Sequence, residues 1–115
     1  MYEKFGQFID GKWSPSANKE TYDVINPATE EVLGHASKAT PADVDRALKS
    51  AEKGLKVWKK TTPWNRSYIL RKIADRMREK KDVLAKWMTL ENGKPLAEGI
   101  GETNGAADIF EWNAE

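Results

Sequence analysis

The 115-residue sequence contains no cysteine and only one histidine. Without a thiol, the chain can form no disulfide, no thiolate nucleophile and no cysteine-ligated zinc or iron–sulfur centre. A single histidine also excludes a metal centre built from several histidines. No stretch approaches the roughly 18 apolar residues of a membrane span, and the first ten residues lack the basic and apolar regions of a signal peptide. We therefore expect a cytoplasmic protein without a membrane segment.

The residues that are present are typical of a folded chain. Apolar residues make up 39% and charged residues 32%, with five Trp, three Tyr and three Phe, more aromatic residues than a disordered chain carries. The net charge of +1 hides an uneven distribution, with −4 over residues 1–45, +10 over 46–86 and −5 over 87–115. No DNA- or RNA-binding motif accompanies the basic part, so we interpret it as a solvated helix face.

Short strands and tight turns are predicted for residues 1–39. FIDGKW carries Asp10–Gly11 at its centre, a pair suited to a two-residue hairpin turn. TYDVI and EEVLGHAS flank NPATE, where Pro27 restricts the backbone and the Asn26 side chain can bond the turn. The sequence therefore predicts two successive β-hairpins.

Residues 40–115 are predicted to form about four helices. Thr40, Pro41 and Asp43 make a helix start with a capping box. An apolar stripe follows at spacings of three and four: Val44, Ala47, Leu48, Ala51, Leu55 and Trp58. Thr62–Pro63 repeats the start signal, Asn92–Gly93 ends a third helix, and Pro95 opens a fourth. We expect this fourth helix to continue through the last residue, as in a chain cut from a longer one.

The run GIGETNG in the fourth helix is close to the dinucleotide-binding fingerprint. Its glycines are off by one position, and no strand precedes them, so the fingerprint's geometry is not met. Ala97, Gly101 and Gly105 are instead four residues apart, which predicts a flat strip where a neighbouring helix packs closely.

His35 and Ser37 lie two residues apart and thus on one face of a predicted strand. A hydrolytic pair would also need an acid to orient the histidine and donors for an oxyanion, neither of which the sequence reveals. We therefore assign no catalysis to this pair.

Glu91 continues the helical stripe of Leu84, Trp87 and Met88, which predicts a carboxylate turned toward the core. A buried carboxylate must be protonated, paired or bound to a cation, because an isolated buried charge is too costly. The alternative is that Glu91 lies at a frayed helix end and reaches water.

The order of FIDGKW, VINPATEEVLG, TPADVDRAL, RKIADRM, LENGKPLAE and FEWNAE resembles the N-terminal part of the aldehyde dehydrogenase superfamily, over essentially the whole chain. MTLENGKPLAE and IFEWNAE are most similar to its succinate-semialdehyde dehydrogenase-like branch. In one departure, Glu30 replaces a turn glycine of the family's NPATGE. The resemblance implies an α/β family fold. Residues 1–115 would be the N-terminal portion of its NAD(P)-binding domain, with hairpins over 1–39 and helices over 40–115, lacking the nucleotide-binding strands.

The resemblance further implies a parent enzyme that oxidises an aldehyde to its acid with NAD or NADP, using a cysteine nucleophile. This chain has no cysteine and none of the family's catalytic or cofactor-binding motifs, so the resemblance implies an inactive piece. Its partner would be the remainder of the dehydrogenase chain, in a homodimer or homotetramer, without nucleic acid or membrane.

Two sets of residues match positions to which the family assigns ligands. Val24, Ile25 and Glu91 match backbone carbonyls and an acid that hold a monovalent cation, K⁺ or Na⁺, in some members, and hard cations prefer such oxygens. Ala106 and Phe110 lie on a helix that contributes to the substrate-channel wall. Two other classes stay open: a free-standing helical interaction module, and a nucleic-acid binder whose binding would weaken steeply with salt.

Overall fold

A computed structural model describes residues 6–115. The chain forms two compact units, Met1–Lys60 and Thr61–Glu115. The described elements are β1 (Gln7–Ile9), β2 (Lys12–Ser14), β3 (Thr21–Ile25), β4 (Val32–Ser37), α1 (Pro41–Lys60), α2 (Pro63–Glu79), α3 (Lys81–Asn92) and α4 (Leu96–Trp112). This order confirms the predicted two hairpins followed by four helices, while α1 belongs to the same compact unit as the hairpins.

The first hairpin pairs β1 with β2 in antiparallel register. Asp10 and Gly11 form its turn with φ values of 55° and 73°, the left-handed pair that a tight hairpin turn requires. Phe8 lies opposite Trp13, with ring centroids 5.1 Å apart. The predicted Asp–Gly turn is thereby confirmed.

The second hairpin pairs β3 with β4 around the NPATE turn. The Ala28 amide donates to Oδ1 of Asn26 at 3.0 Å, and the Asn26 amide donates to the Glu31 carbonyl at 2.9 Å. Glu30 adopts φ 61°, a left-handed conformation that glycine adopts more easily than glutamate. The turn therefore keeps its left-handed geometry although a glutamate stands where the resembled family has glycine.

The start of α1 is the capping box that the sequence predicts. The Thr40 amide donates to Oδ2 of Asp43 at 3.0 Å, and the Asp43 amide donates to Oγ1 of Thr40 at 3.3 Å. The Ala17 amide donates to the same carboxylate oxygen at 3.0 Å, so Asp43 also holds the loop after β2. The pKa of Asp43 is lowered from 3.8 to about 2. The largest causes are the hydrogen bonds from the Thr40 amide and then from the Ala17 amide.

The apolar stripe of α1 is not covered. Val44, Leu48 and Leu55 are exposed, Leu48 to 62%. Meanwhile the opposite, polar side of α1 approaches the first hairpin, where Arg46 donates to Oγ of Ser14 at 3.3 Å. The predicted helix is confirmed, but its apolar face lies open.

In the second unit, the predicted helix ends are confirmed except for the last. The Thr62 hydroxyl accepts a bond from the Asn65 amide at the start of α2, and Gly93 ends α3 with φ 75°. The prediction that α4 continues through Glu115 is wrong, since α4 ends at Trp112. There the Asn113 side chain donates to the Ile109 carbonyl at 2.8 Å, a local bond by which asparagine competes with helix continuation.

Close packing of α3 and α4 involves a different glycine from those predicted. Gly99 is buried against Ala85, and Thr103 and Ala107 continue the buried side of α4. Gly101 and Gly105 have no neighbour within 4 Å of a would-be Cβ. The prediction that Ala97, Gly101 and Gly105 form the packed strip is therefore wrong for this chain. The residues of α4 that pack closely lie on a different side of the helix.

Many large apolar side chains are exposed to solvent. Among residues 6–115, the buried apolar residues are four alanines, whereas Trp64 and Trp112 are 86% and 81% exposed. A contiguous exposed apolar patch is typical of an interaction surface. Within residues 6–115, no helix is both long and apolar enough to cross a membrane.

Candidate functional site

The predicted carbonyl ligands lie at an irregularity of the second hairpin. Val24 pairs with Gly34 and Ile25 with Val32, so the register shifts between Val24 and Ile25. Such a bulge bends the strand and redirects its backbone groups. The extra residue is Leu33 of β4, so the irregularity lies in the strand opposite Val24 and Ile25.

The predicted acidic ligand lies on the last turn of α3. Glu91 is exposed, so the interpretation that turned it toward the core is wrong for this chain and the water-facing alternative is the observed one. The reason is the position of the helix crossing: α4 meets α3 at Ala85, and Leu84, Trp87 and Met88 are only half-buried. Glu91 lies beyond the side of α3 that α4 covers.

The two residues proposed for a channel wall lie on one side of α4. Ala106 and Phe110 are four residues apart and both half-buried, which places them on one helix face. Their neighbour Ala107 is fully buried in the second unit. The pair thus lies at the margin of the packed side of α4.

The GIGETNG glycines lie inside α4 and not at a helix start. Phosphate binding by such glycines needs a strand leading into a helix N-terminus, where free amides face the ligand. The described strands instead form two separate antiparallel pairs. The GIGETNG glycines therefore do not have the geometry of a dinucleotide-binding loop.

The structure reveals an acid beside His35 that the sequence reasoning missed. The hairpin register places Asp23 opposite His35, with Oδ1 of Asp23 2.8 Å from Nδ1 of His35. The two side chains are 54% and 59% exposed, and an exposed pair contributes little free energy. Counting the register back from the NPATE turn would have paired Asp23 with Gly34, because the extra residue in β4 shifts the observed register by one.

Part of the basic region meets the acidic end of the chain. Arg78 of α2 donates to Oδ1 of Asp108 at 2.7 Å and to Oε2 of Glu111 at 2.6 Å. These bonds raise the pKa of Arg78, and the bond to Asp108 has the larger effect. Arg71 also donates to Glu115. At least these two arginines have carboxylate partners and do not present a free phosphate-binding stripe.

No cluster of three or more His, Asp or Glu side chains suited to a metal ion is found in the part of the chain that the structure describes.

A model of the aldehyde dehydrogenase family matches residues 13–115. Among curated proteins, the glutarate-semialdehyde dehydrogenase of Pseudomonas putida is 44% identical over 108 residues, which is 94% of this chain and 22% of that protein. The glutarate-semialdehyde dehydrogenase of Pseudomonas aeruginosa is 43% identical over the same shares. The chain therefore spans about 22% of the length of these relatives.

Solved structures are similar to the chain over a comparable share. Betaine aldehyde dehydrogenase from Staphylococcus aureus in complex with NAD⁺ gives a TM-score of 0.88 at 36% identity, over 92% of this chain and 22% of that one. A 3,6-anhydro-L-galactose dehydrogenase gives a TM-score of 0.92 at 31% identity, over 96% and 23%. These matches do not favour a free-standing interaction module.

Proposed function

Because the chain belongs to the aldehyde dehydrogenase family, we propose that it is the N-terminal portion of an NAD(P)-binding domain. The parent would be a cytoplasmic, NAD(P)-dependent enzyme that oxidises succinate or glutarate semialdehyde to its acid. One observation carries the proposal: 44% identity to a glutarate-semialdehyde dehydrogenase over 94% of this chain, which spans only 22% of that enzyme.

The segment's role in this proposal is structural. Its sequence has no cysteine, and the attack on an aldehyde in this family requires a thiolate, so the nucleophile lies outside residues 1–115. The glycines of α4 do not fit NAD(P), as described above, and no reaction step is assigned to them. Residues 1–115 would instead pack around the cofactor-binding strands of the parent.

The exposed apolar surface supports the remainder of the dehydrogenase chain as the partner. Trp64, Trp112 and Ile109 are between 65% and 86% exposed, and burying one large apolar side chain contributes about 1.5–3 kcal/mol. Several such side chains would stabilise the attachment of this segment to the rest of the enzyme. We propose a homodimer or homotetramer for the parent, which size-exclusion chromatography with light scattering tests.

A monovalent cation, K⁺ or Na⁺, is proposed to bind the carbonyl oxygens of Val24 and Ile25 and the carboxylate of Glu91. The oxygen donors fit a hard cation, and the hairpin register shifts between Val24 and Ile25. In the full-length enzyme, Glu91→Gln should abolish the stabilisation by K⁺, whereas Glu98→Gln should retain it. An unchanged response of the melting temperature to K⁺ in Glu91→Gln would remove this site.

Ala106 and Phe110 are proposed to contribute to the wall of the substrate channel. Phe110→Ala in the full-length enzyme should then change KM for a semialdehyde more than the melting temperature. Ile109→Ala is the control for the loss of an apolar contact with the rest of the enzyme, because Ile109 is adjacent to Phe110 and 65% exposed in this chain. Equal effects of the two substitutions on KM would contradict the assignment of Phe110.

The substrate proposal is tested with the full-length enzyme and a set of aldehydes of similar length. We expect higher kcat/KM for succinate and glutarate semialdehydes than for butanal and pentanal, which lack the second charged group. The same assay with NAD⁺ and NADP⁺ identifies the cofactor. Equal kcat/KM for charged and uncharged aldehydes would contradict the semialdehyde assignment.

A further inference from the structure

A cleft in the first compact unit has no role in the function proposed above. It lies between the β1–β2 hairpin and the polar side of α1 and has a volume of about 540 Å³. Ligand pockets for small molecules commonly measure about 300–1,000 Å³. The cleft is thus large enough for a small molecule.

Three lysines from two elements converge on this cleft. Lys12 comes from β2, and Lys49 and Lys53 come from successive turns of α1. All three are exposed, and no carboxylate among residues 6–115 forms an ion pair with them. None of the three lysines is therefore held in an ion pair within the described part of the chain.

Among the nearby acids, Asp43 is paired with a cation of its own helix. Asp43 binds Arg46, with Nη2 3.0 Å from Oδ1, and Asp10 accepts a bond from the Ser50 hydroxyl at 3.1 Å. Of the acids that line the cleft, Asp10 and Asp45 both keep a negative charge against the three lysines, because the Ser50 hydroxyl is neutral. The cleft thus carries an excess of positive charge at its wall.

We propose that this cleft binds a small phosphate-bearing molecule. Its phosphate oxygens would accept hydrogen bonds from the ammonium groups of Lys12, Lys49 and Lys53, and lysine is a common point-charge partner of phosphate. The proposal does not depend on the dehydrogenase activity, because no residue of the cleft belongs to the cation or channel assignments.

The test measures pyrophosphate binding by isothermal titration calorimetry to the full-length chain and to residues 1–115. We expect Lys49→Gln/Lys53→Gln to weaken binding at least about tenfold, since each charge-assisted bond contributes a sizeable share of the affinity. Lys59→Gln/Lys60→Gln removes the same charge from the same helix outside the cleft and should weaken binding less than about twofold. Lys12→Gln alone should weaken binding several-fold, because the hairpin forms one wall.

Three outcomes would overturn the proposal. Equal losses in the two double variants would indicate diffuse attraction to a basic helix, and an unaffected Lys12→Gln would indicate that the hairpin takes no part. Binding to residues 1–115 but not to the full-length chain would show that another part of the enzyme fills the cleft.

Discussion

Gly99 of α4 lies directly against the backbone of Ala85 in α3. A Cβ built on Gly99 would be 3.1 Å from the Ala85 carbonyl oxygen and 3.2 Å from its Cα and Cβ. Backbone atoms of a helix cannot move aside as the end of a long side chain can, so the two helices approach this closely only because residue 99 lacks a side chain.

Gly99→Ala should therefore destabilise residues 1–115. Alanine gains about 1 kcal/mol of helix propensity over glycine, but overpacking of a tight contact costs about 1–3 kcal/mol, so we expect a net loss of about 1 kcal/mol. Gly101→Ala is the matched control, since nothing lies within 4 Å of its added Cβ, and it should stabilise by up to about 1 kcal/mol. Urea unfolding measures both, and a stabilising Gly99→Ala would contradict the observed packing.

Glu30→Gly should stabilise the second hairpin. A left-handed conformation costs a residue with a Cβ about 1–2 kcal/mol, and Glu30 holds φ 61°. The greater freedom of glycine in the unfolded chain offsets about 0.5–1 kcal/mol of this gain. We expect a net stabilisation of about 0.5–1 kcal/mol, an intermediate effect for Glu30→Asn and none for Glu30→Ala. Thermal unfolding measures the order of stability of the three variants. A Glu30→Ala variant as stable as Glu30→Gly would contradict the prediction.

Asp43 should make stability depend on pH in the acid range. Its native pKa is about 2, below the value of about 3.9 in an unfolded chain. The stabilisation is therefore complete above about pH 4 and is lost as the pH falls toward 2. Asp43→Asn should melt below the wild type at pH 7, and the difference should shrink between pH 4 and 2. A pH-independent difference would contradict this account. Asp45→Asn, which leaves the capping bonds intact, should change the melting temperature at pH 7 far less.

Arg78→Lys should lower the melting temperature, because one ammonium does not reproduce the two bonds that the guanidinium donates to Asp108 and Glu111. Arg78→Ala should lower it further by leaving both carboxylates without that partner. Arg76→Ala is the control, since Arg76 is 75% exposed and pairs with Glu79 of its own helix, where ion pairs contribute little. Equal effects of Arg78→Ala and Arg76→Ala would show that the α2–α4 bridge is not stabilising.

The features that the sequence predicted well depend on neighbouring residues. Asp10–Gly11 determines its own turn conformation, and Thr40 and Asp43 lie close enough along the chain to cap each other. Gly93 likewise ends α3 through its own backbone freedom. Such signals are readable because the physical cause lies within a few residues of the effect.

The features that the sequence did not predict depend on distant residues. Whether Gly99 or Gly101 meets a neighbour is decided by where α4 crosses α3, and the exposure of Glu91 follows from the same crossing. Asp23 lies opposite His35 only because the extra residue Leu33 in β4 shifts the hairpin register by one. Periodicity gives a helix an apolar side but does not say whether the rest of the chain covers it, as the open stripe of α1 shows.

We propose that residues 1–115 are a structural portion of an aldehyde dehydrogenase whose chemistry lies elsewhere in the parent chain. The most direct test measures semialdehyde-dependent reduction of NAD⁺ and NADP⁺ by the full-length chain and by residues 1–115, side by side. We predict turnover by the full-length chain and no rate above the protein-free blank for residues 1–115. Turnover by residues 1–115 alone, or a folded full-length chain that oxidises no aldehyde, would contradict the account.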